Sequence, residues 1–524
     1  MLYHYLKRFI RLNSLFLLAG GIMVSATAKM TRAEKEQLQA QIETLRKGDA
    51  TFVIKNGNSP VEGATVKIDQ IRHHFGFGGA ITFKYMFPDT TDSTVTTDGA
   101  AYRNAFKKYF EWATPENCQK WPATDYVEGV QNYTEPDSLI AWCKANDITV
   151  RGHNLFWNQR MDWIPEWAQS LTGSEGKAAV DERIDKCLNH YKGRLKHWDI
   201  INELTHGQAG SGGNQGTLEV LTGDQGIFSY VLKEAAKIET ESKFTLNEYN
   251  LVSQYSDREP FIAKVNQLIA EGCKIDIIGC EGHFGEQFDR NDFSTKLNDI
   301  AGRIDREIWM TEVDFSVSNA AGAIGDLMDV CFAHEKVGGI ILWTFWQGNL
   351  WRETLTSYLV DKNFSESAMG TKWREKISEW TTNTTGTSDA DGKVTFNGFY
   401  GKYLLTIEYN GITRHDTLFH EPGKTGDIKV AINRIRPAGE TAAPGFVDRT
   451  IVVNHTTISF KLPAFMTGQL YLCAYSLEGK LVTRVPVTFQ DGFSMVGDIP
   501  SGCLVYRIGT LRDVFHTTTG MNIE

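Results

Sequence analysis

The 524-residue sequence is poor in proline (13 residues), has eight cysteines and carries no excess of positive charge. Its 54 Lys and Arg stand against 64 Asp and Glu, a formal charge of −10. That balance argues against nucleic acid as a partner, because a phosphate backbone needs a basic footprint. Cys118, Cys143, Cys187, Cys273, Cys280, Cys331, Cys473 and Cys503 are scattered without a CxxC pair. A zinc ribbon is therefore not expected, and most of these thiols read as small buried residues. His73 and His74 are adjacent, and His153 and His283 fall in separate segments; no HExxH or facial-triad spacing occurs. No metal and no cofactor is expected. Beyond residue 28 no stretch approaches the roughly 20 apolar residues that span a bilayer. What is plentiful is aromatic: 13 Trp, 18 Tyr and 29 Phe, a supply that suits flat ligands with apolar faces.

Lys7, Arg8 and Arg11, a short apolar core from Leu15 to Val24 and the small residues Ala26-Thr27-Ala28 read as a signal peptide over 1–28. A secreted, extracellular or cell-surface protein is expected. Thr31-Arg32-Ala33-Glu34 is a capping box. The helix it opens carries Leu38, Ile42 and Leu45 on one face and should stop at Gly48. Two strands, Thr51–Lys55 and Ala64–Ile68, complete an N-terminal segment over 29–74.

From residue 75 to 380, eight short apolar runs alternate with longer amphipathic stretches such as Ala178–His190 and Ile227–Glu239. The runs are Phe75–Ile81, Phe110–Thr114, Ile148–Arg151, His197–Ile201, Phe244–Leu246, Ile275–Cys280, Ile308–Thr311 and Gly339–Leu342. This is the pattern of an α/β fold, a (β/α)8 TIM barrel. An open doubly wound sheet would want a GxGxxG turn after its first strand. The glycines of Gly210-Ser211-Gly212-Gly213 instead follow the fourth run and read as a surface loop. Thr381–Gly392 reads as a linker or turn region. Lys393–Phe396, Lys402–Tyr409 and Asp427–Ile432 then give a small β segment over 381–440. Five short strands over 446–524 read as a C-terminal β-sandwich-like module.

Chemistry gathers where the runs end. Pro115-Glu116-Asn117, Arg151-Gly152-His153-Asn154, Asn202-Glu203, Asn247-Glu248-Tyr249-Asn250, Glu281-Gly282-His283, Glu312-Val313-Asp314 and Trp343 follow seven of the eight. In a barrel these positions converge on the C-terminal rim. Glu203 and Glu312 each close an apolar run and are at least partly desolvated. Two such carboxylates in an aromatic-lined cleft point to glycoside hydrolysis, with retaining and inverting chemistry both open.

Those segments, with Lys120-Trp121, Leu155-Phe156-Trp157, Trp198-Asp199-Ile200-Ile201 and Leu342-Trp343, resemble glycoside hydrolase family ten, the endo-β-1,4-xylanases. They occur in the family's order over about residues 75–380. The resemblance implies a retaining mechanism, with Glu203 as general acid/base and Glu312 as nucleophile. It implies that Asn202 bonds the sugar 2-hydroxyl, and that His283, backed by Asp314, holds Glu312. It places Glu116, Asn117, Lys120, His153 and Gln159 on the sugar at the non-reducing side of the cut, adds Tyr249 and Glu281 to the substrate-binding set, and makes Trp157, Trp343 and Trp351 the walls. Xylan or xylo-oligosaccharides are the expected partners.

Two residues depart from the common pattern: Glu281 stands where Gln is usual and Glu248 where Asp is usual. Both are similar to a plant-type subgroup, as are Val61-Glu62-Gly63-Ala64-Thr65-Val66 and Phe396-Asn397-Gly398-Phe399-Tyr400-Gly401. The flanking strands are thus expected to form one β unit from both ends of the barrel. The extra carboxylate of Glu281 is expected to share a proton or hydrogen bond near Glu312 and to shape the acid limb of activity. Leu472–Leu481 and Leu504–Arg507 resemble a sorting domain of the type nine secretion system, with a generic accessory sandwich as the alternative; a monomer engaged by that machinery is expected. The rival functions are another β-1,4-glycanase, a cellulase or mixed-linkage glucanase, on the same barrel, or a xylan-binding protein without catalysis.

Overall fold

The structure, a computed structural model, describes residues 30–88, 98–206, 216–254 and 257–424, and beyond them the backbone of short strands between Ile428 and Thr510. The expected leader, the Gly210–Gly213 loop and Cys503 lie outside the described residues. The chain divides into two compact units, Met1–Asn433 and Arg434–Glu524.

The first unit is built on a closed parallel barrel. Its strands, numbered one to eight in chain order, are Gly76–Ile81, Trp112–Pro115, Thr149–Gly152, His197–Asn202, Lys243–Glu248, Ile277–Phe284, Glu307–Phe315 and Val337–Leu342. Each pairs with its neighbours in sequence, strand eight returns to strand one, and Arg151 and Gly152 register with His197 and Trp198 to close the ring. All eight apolar runs become barrel strands. Helices between them turn one face inward: in Gly173–Tyr191 the buried positions Val180, Ile184, Cys187, Leu188 and Tyr191 follow helical spacing. Cys118, Cys143, Cys187, Cys273, Cys280 and Cys331 are free and buried. Among the described residues no helix is long and apolar enough to cross a membrane.

The capping box at Thr31 forms, and its helix spans Arg32–Arg46. The helix ends before Gly48, which instead lies in the strand Lys47–Asn56 and lets the Tyr400 ring lie close: a Cβ there would sit 2.6 Å from the Tyr400 hydroxyl. The stretch expected as a linker is partly a strand. Asn383–Thr387 pairs antiparallel with Thr65–Asp69 at a sheet edge, where both its faces are largely exposed. An edge strand with no buried face carries no apolar alternation, so its Thr-rich composition looked like a turn. The strands flanking the barrel form two four-stranded sheets drawn from both ends of it. Phe52, Ile54, Val66, Ile68, Phe396, Leu405 and Ile407 form their shared core. Arg46 joins them to the barrel, donating to the carbonyls of Phe332, His334 and Val337 at 2.8 Å each. The second unit holds a four-stranded and a three-stranded antiparallel sheet.

One buried cation connects this scaffold to the rim. Arg183, on the helix before strand four, is fully buried and donates to Asp125 at 2.8 Å, Thr124 at 2.6 Å, and the carbonyl of Gln119 at 3.0 Å. It fastens the segment after strand two, which carries Lys120. Arg183→Met leaves Asp125 buried and unpaired and should cost about 3–5 kcal/mol. Urea unfolding reads this as a lower midpoint at unchanged slope; a loss below about 1 kcal/mol would contradict the role.

Candidate active site

Backbone geometry aims the two central carboxylates. Glu203 follows strand four with φ 53°, and Glu312 lies in strand seven with φ 55°. This left-handed region is costly for a side-chain-bearing residue and is tolerated where surrounding structure enforces it. For Glu312 the enforcement is visible. Glu281 registers with Thr311 and His283 with Asp314, so strand seven carries one extra residue between those pairs. Such a bulge re-aims a side chain. For Glu203, the backbone N–H is anchored on the Asn247 carbonyl at 2.8 Å.

Asn247, at the end of strand five, ties the floor of the site together. Its Nδ2 lies 2.8 Å from Asn202 Oδ1, 2.7 Å from Glu281 Oε1 and 2.8 Å from Glu312 Oε1. Its Oδ1 accepts from the Thr311 hydroxyl at 2.5 Å. Gly279 on strand six makes the room, since a Cβ there would sit 2.1 Å from Asn247 Oδ1. On the other side, His283 Nε2 is 3.5 Å from Glu312 Oε2, and its Nδ1 lies 2.9 Å from Asp314 Oδ2. The same Asp314 oxygen accepts from the Trp351 indole at 2.6 Å, and Trp351 packs on the His283 ring at 4.9 Å between centroids.

These surroundings separate the two acids. Burial pushes Glu203 well above the usual carboxylate range, and the charges of Glu248 and Glu312 push it further. The Trp157 indole N–H offsets part of that rise without meeting hydrogen-bond geometry, leaving Glu203 Oε2 buried and unpartnered. Burial works the same way on Glu312, but the hydrogen bond from His283 and the positive charges of His283 and Arg151 overcome it and hold Glu312 low. His283 is itself driven up to about 10: burial opposes its charge, and Asp314 and Glu312 outweigh burial. At neutral pH the site therefore pairs a protonated Glu203 with an ionised Glu312.

The remaining expected residues lie around this pair. Lys120 is buried, bonds Asn117 Oδ1 at 2.9 Å and stands 4.4 Å over the rings of both Trp157 and Trp163. Glu116 is held by Asn349 Nδ2 at 2.9 Å and by the Thr82 hydroxyl. His153 Nδ1 lies 2.8 Å from Asp199 Oδ2, the carboxylate that also pairs with Arg151, and its ring meets Trp343 edge-on at 5.2 Å. Gln159 donates to the Tyr249 hydroxyl at 3.0 Å, and Tyr249 stacks on His206 at 3.7 Å. His206 and Thr205 bind the buried Glu248.

A model described as glycosyl hydrolase family 10 matches residues 79–372. The chain belongs to this family. Anti-sigma-I factor RsgI6 of Acetivibrio thermocellus is 32% identical over 380 residues, covering 72% of this chain and 47% of that protein. Endo-1,4-beta-xylanase 2 of Arabidopsis thaliana is 29% identical over 400 residues, covering 75% of this chain and 35% of that protein. The chain thus spans half or less of these curated relatives. Among solved structures, xylanase 10B from Thermotoga petrophila RKU-1 in complex with xylobiose superposes with a TM-score of 0.53 at 19% identity, over 58% of this chain and 94% of that one. At that identity the likeness establishes the (β/α)8 fold.

Within this family 10 barrel, sequence reasoning missed the residues that hold others in place. Asn247 stood in the motif Asn247-Glu248-Tyr249-Asn250, but its neighbour drew the attention. Thr82 follows strand one, the one strand end set aside as carrying no polar candidate, and it reaches Glu116. Trp163 and Asn349 each end a three-residue 3-10 turn, too short for any periodicity to mark them. A metal set was not expected from spacing, yet Glu281, His283 and Glu312 place ligand atoms within 4.8 Å of one another, the one such cluster among the described residues.

If Glu203 serves as the proton donor it does so only while protonated, and activity should fall as pH rises through its raised pKa, above neutrality. Trp157→Phe removes the N–H that lowers that pKa. The alkaline limb of kcat/KM should move upward in this variant; a limb that stays or moves down would contradict the assignment.

Proposed function

We propose that the chain is an endo-β-1,4-xylanase that cleaves internal bonds of xylan with retention of configuration. The opposite displacement of two buried carboxylates, Glu203 upward and Glu312 downward, carries this reading. Glu312 attacks the anomeric carbon while Glu203 gives its proton to the departing glycosidic oxygen. The resulting ester removes the Glu312 charge, one of the influences holding Glu203 up. Glu203, now ionised and more acidic, can take a proton from water, which attacks the same carbon and releases Glu312. The two roles thus alternate through one electrostatic coupling.

Xylan fits the surroundings. A xylose ring presents hydroxyls at its edge and C–H groups on its faces. Asn117, Lys120, His153 and Gln159 offer donors and acceptors for the edge, and Trp157, Trp343 and Trp351 offer apolar faces. Export belongs to the same proposal and rests on residues 1–28 alone.

Soluble xylan, cellulose and mixed-linkage glucan offered separately to the full chain test the substrate. Xylan should be cleaved at least about tenfold more efficiently than either glucan, a margin one well-placed pocket contact supplies. Glu203→Ala should lower kcat by about 10²–10⁴-fold, with a smaller loss on aryl glycosides whose leaving group needs no proton. Glu312→Ala should abolish turnover on both. Preference for a glucan, or hydrolysis that survives Glu312→Ala, would overturn the reading.

A further inference from the structure

Position 281 carries a carboxylate that the proposed reaction does not use. Glu281 is 1% exposed. Its Oε1 accepts from Asn247, and its Oε2 makes no hydrogen bond among the described residues, only a 3.8 Å approach to His283 Nε2. That second oxygen keeps its lone pairs for another partner. It is aimed at the imidazole nitrogen that also stands 3.5 Å from Glu312 Oε2.

Those two separations match a metal's coordination shell. Donors bound to one tetrahedral zinc at about 2.0–2.1 Å are held about 3.4 Å apart. The His283–Glu312 and His283–Glu281 edges, at 3.5 and 3.8 Å, are close to this already. The third edge is at most 4.8 Å and closes by rotation of a Glu side chain. The bulge in strand seven is what brings Glu312 between the other two. The outer shell is also in place: Asp314 engages His283 Nδ1 at 2.9 Å, which leaves Nε2 facing the two carboxylates. A carboxylate behind a ligating histidine is the usual support of a zinc imidazole.

We propose that Glu281, His283 and Glu312 form a binding site for one divalent transition-metal ion, zinc in particular, and that the ion inhibits the enzyme by occupying Glu312. Two carboxylates and an imidazole suit a borderline cation better than calcium or magnesium, which prefer oxygen alone. Burial and the charges of Glu312, Glu203 and Glu248 hold Glu281 well above the usual carboxylate range, so a dication there takes the place of its proton. On binding, the His283 Nε2 proton and the Glu281 proton leave to solvent and the metal takes the freed lone pairs. Binding stands on this geometry; inhibition rests on the proposed function.

The test is titration of the metal-stripped full chain with zinc by calorimetry, and with cobalt followed by visible absorption. The wild type should bind one ion that Glu281→Gln binds at least about tenfold more weakly. Cobalt should give the intense bands of a four-coordinate site, and xylo-oligosaccharide should displace it. Circular dichroism verifies that the variant is folded, and His283→Asn supplies a second ligand change that should weaken binding likewise. Wild type and both variants binding zinc equally, or a wild type that binds none at about 1 mM, would overturn the site. Zinc bound at Glu281 in a chain that cleaves no xylan would sustain the site and overturn the proposed function instead.

Discussion

A buried carboxylate must lose its charge or be surrounded by groups that hold it. At the mouth of this barrel both outcomes occur side by side, and the rest of the site depends on their difference. Glu312 keeps its charge because His283 and the Asn247 amide reach it. Glu203 has one oxygen with no partner and retains its proton. One environment keeps a carboxylate and the other a neutral carboxyl, from the same side chain.

The scaffold serves that difference through parts remote from the chemistry. Asp314 orients His283, and Trp351 is fastened to the same oxygen, so one wall of the cleft and the support of Glu312 share an anchor. Asp199 does the same on the opposite side, holding Arg151 and His153 together. Gly279 leaves space for Asn247, and the strand-seven bulge turns Glu312 inward. These are properties of a closed parallel barrel whose strand ends meet: no single element could supply both the acid and its counterpart.

Much of this was legible in the sequence, for physical reasons. Strands buried on both faces read as unbroken apolar runs, so all eight barrel strands could be located. Polar residues directly after those runs, such as Glu203 and Glu312, had to lie on the rim. The edge strand Asn383–Thr387 was misread because nothing covers it. The partners of the rim residues were hidden for a different reason. Asn247, Thr82 and Trp163 acquire roles only by meeting residues from other strands, and sequence spacing says nothing of such meetings. Glu281 and His283 are two apart on strand six and share a face, as their spacing implies; that Glu312 joins them depends on the bulge in strand seven, which spacing does not show.

The proposed division of labour between Glu203 and Glu312 has the anomeric configuration of the first product as its most direct readout. Proton NMR of soluble xylan during the first minutes of hydrolysis, before mutarotation, should show new reducing ends as the β-anomer, with the α-anomer growing in afterwards. Retention of this kind requires two displacements at one carbon and hence a covalent role for Glu312. Reducing ends that appear first as the α-anomer would mean that water attacks directly, and the account of Glu312 as a nucleophile would be wrong.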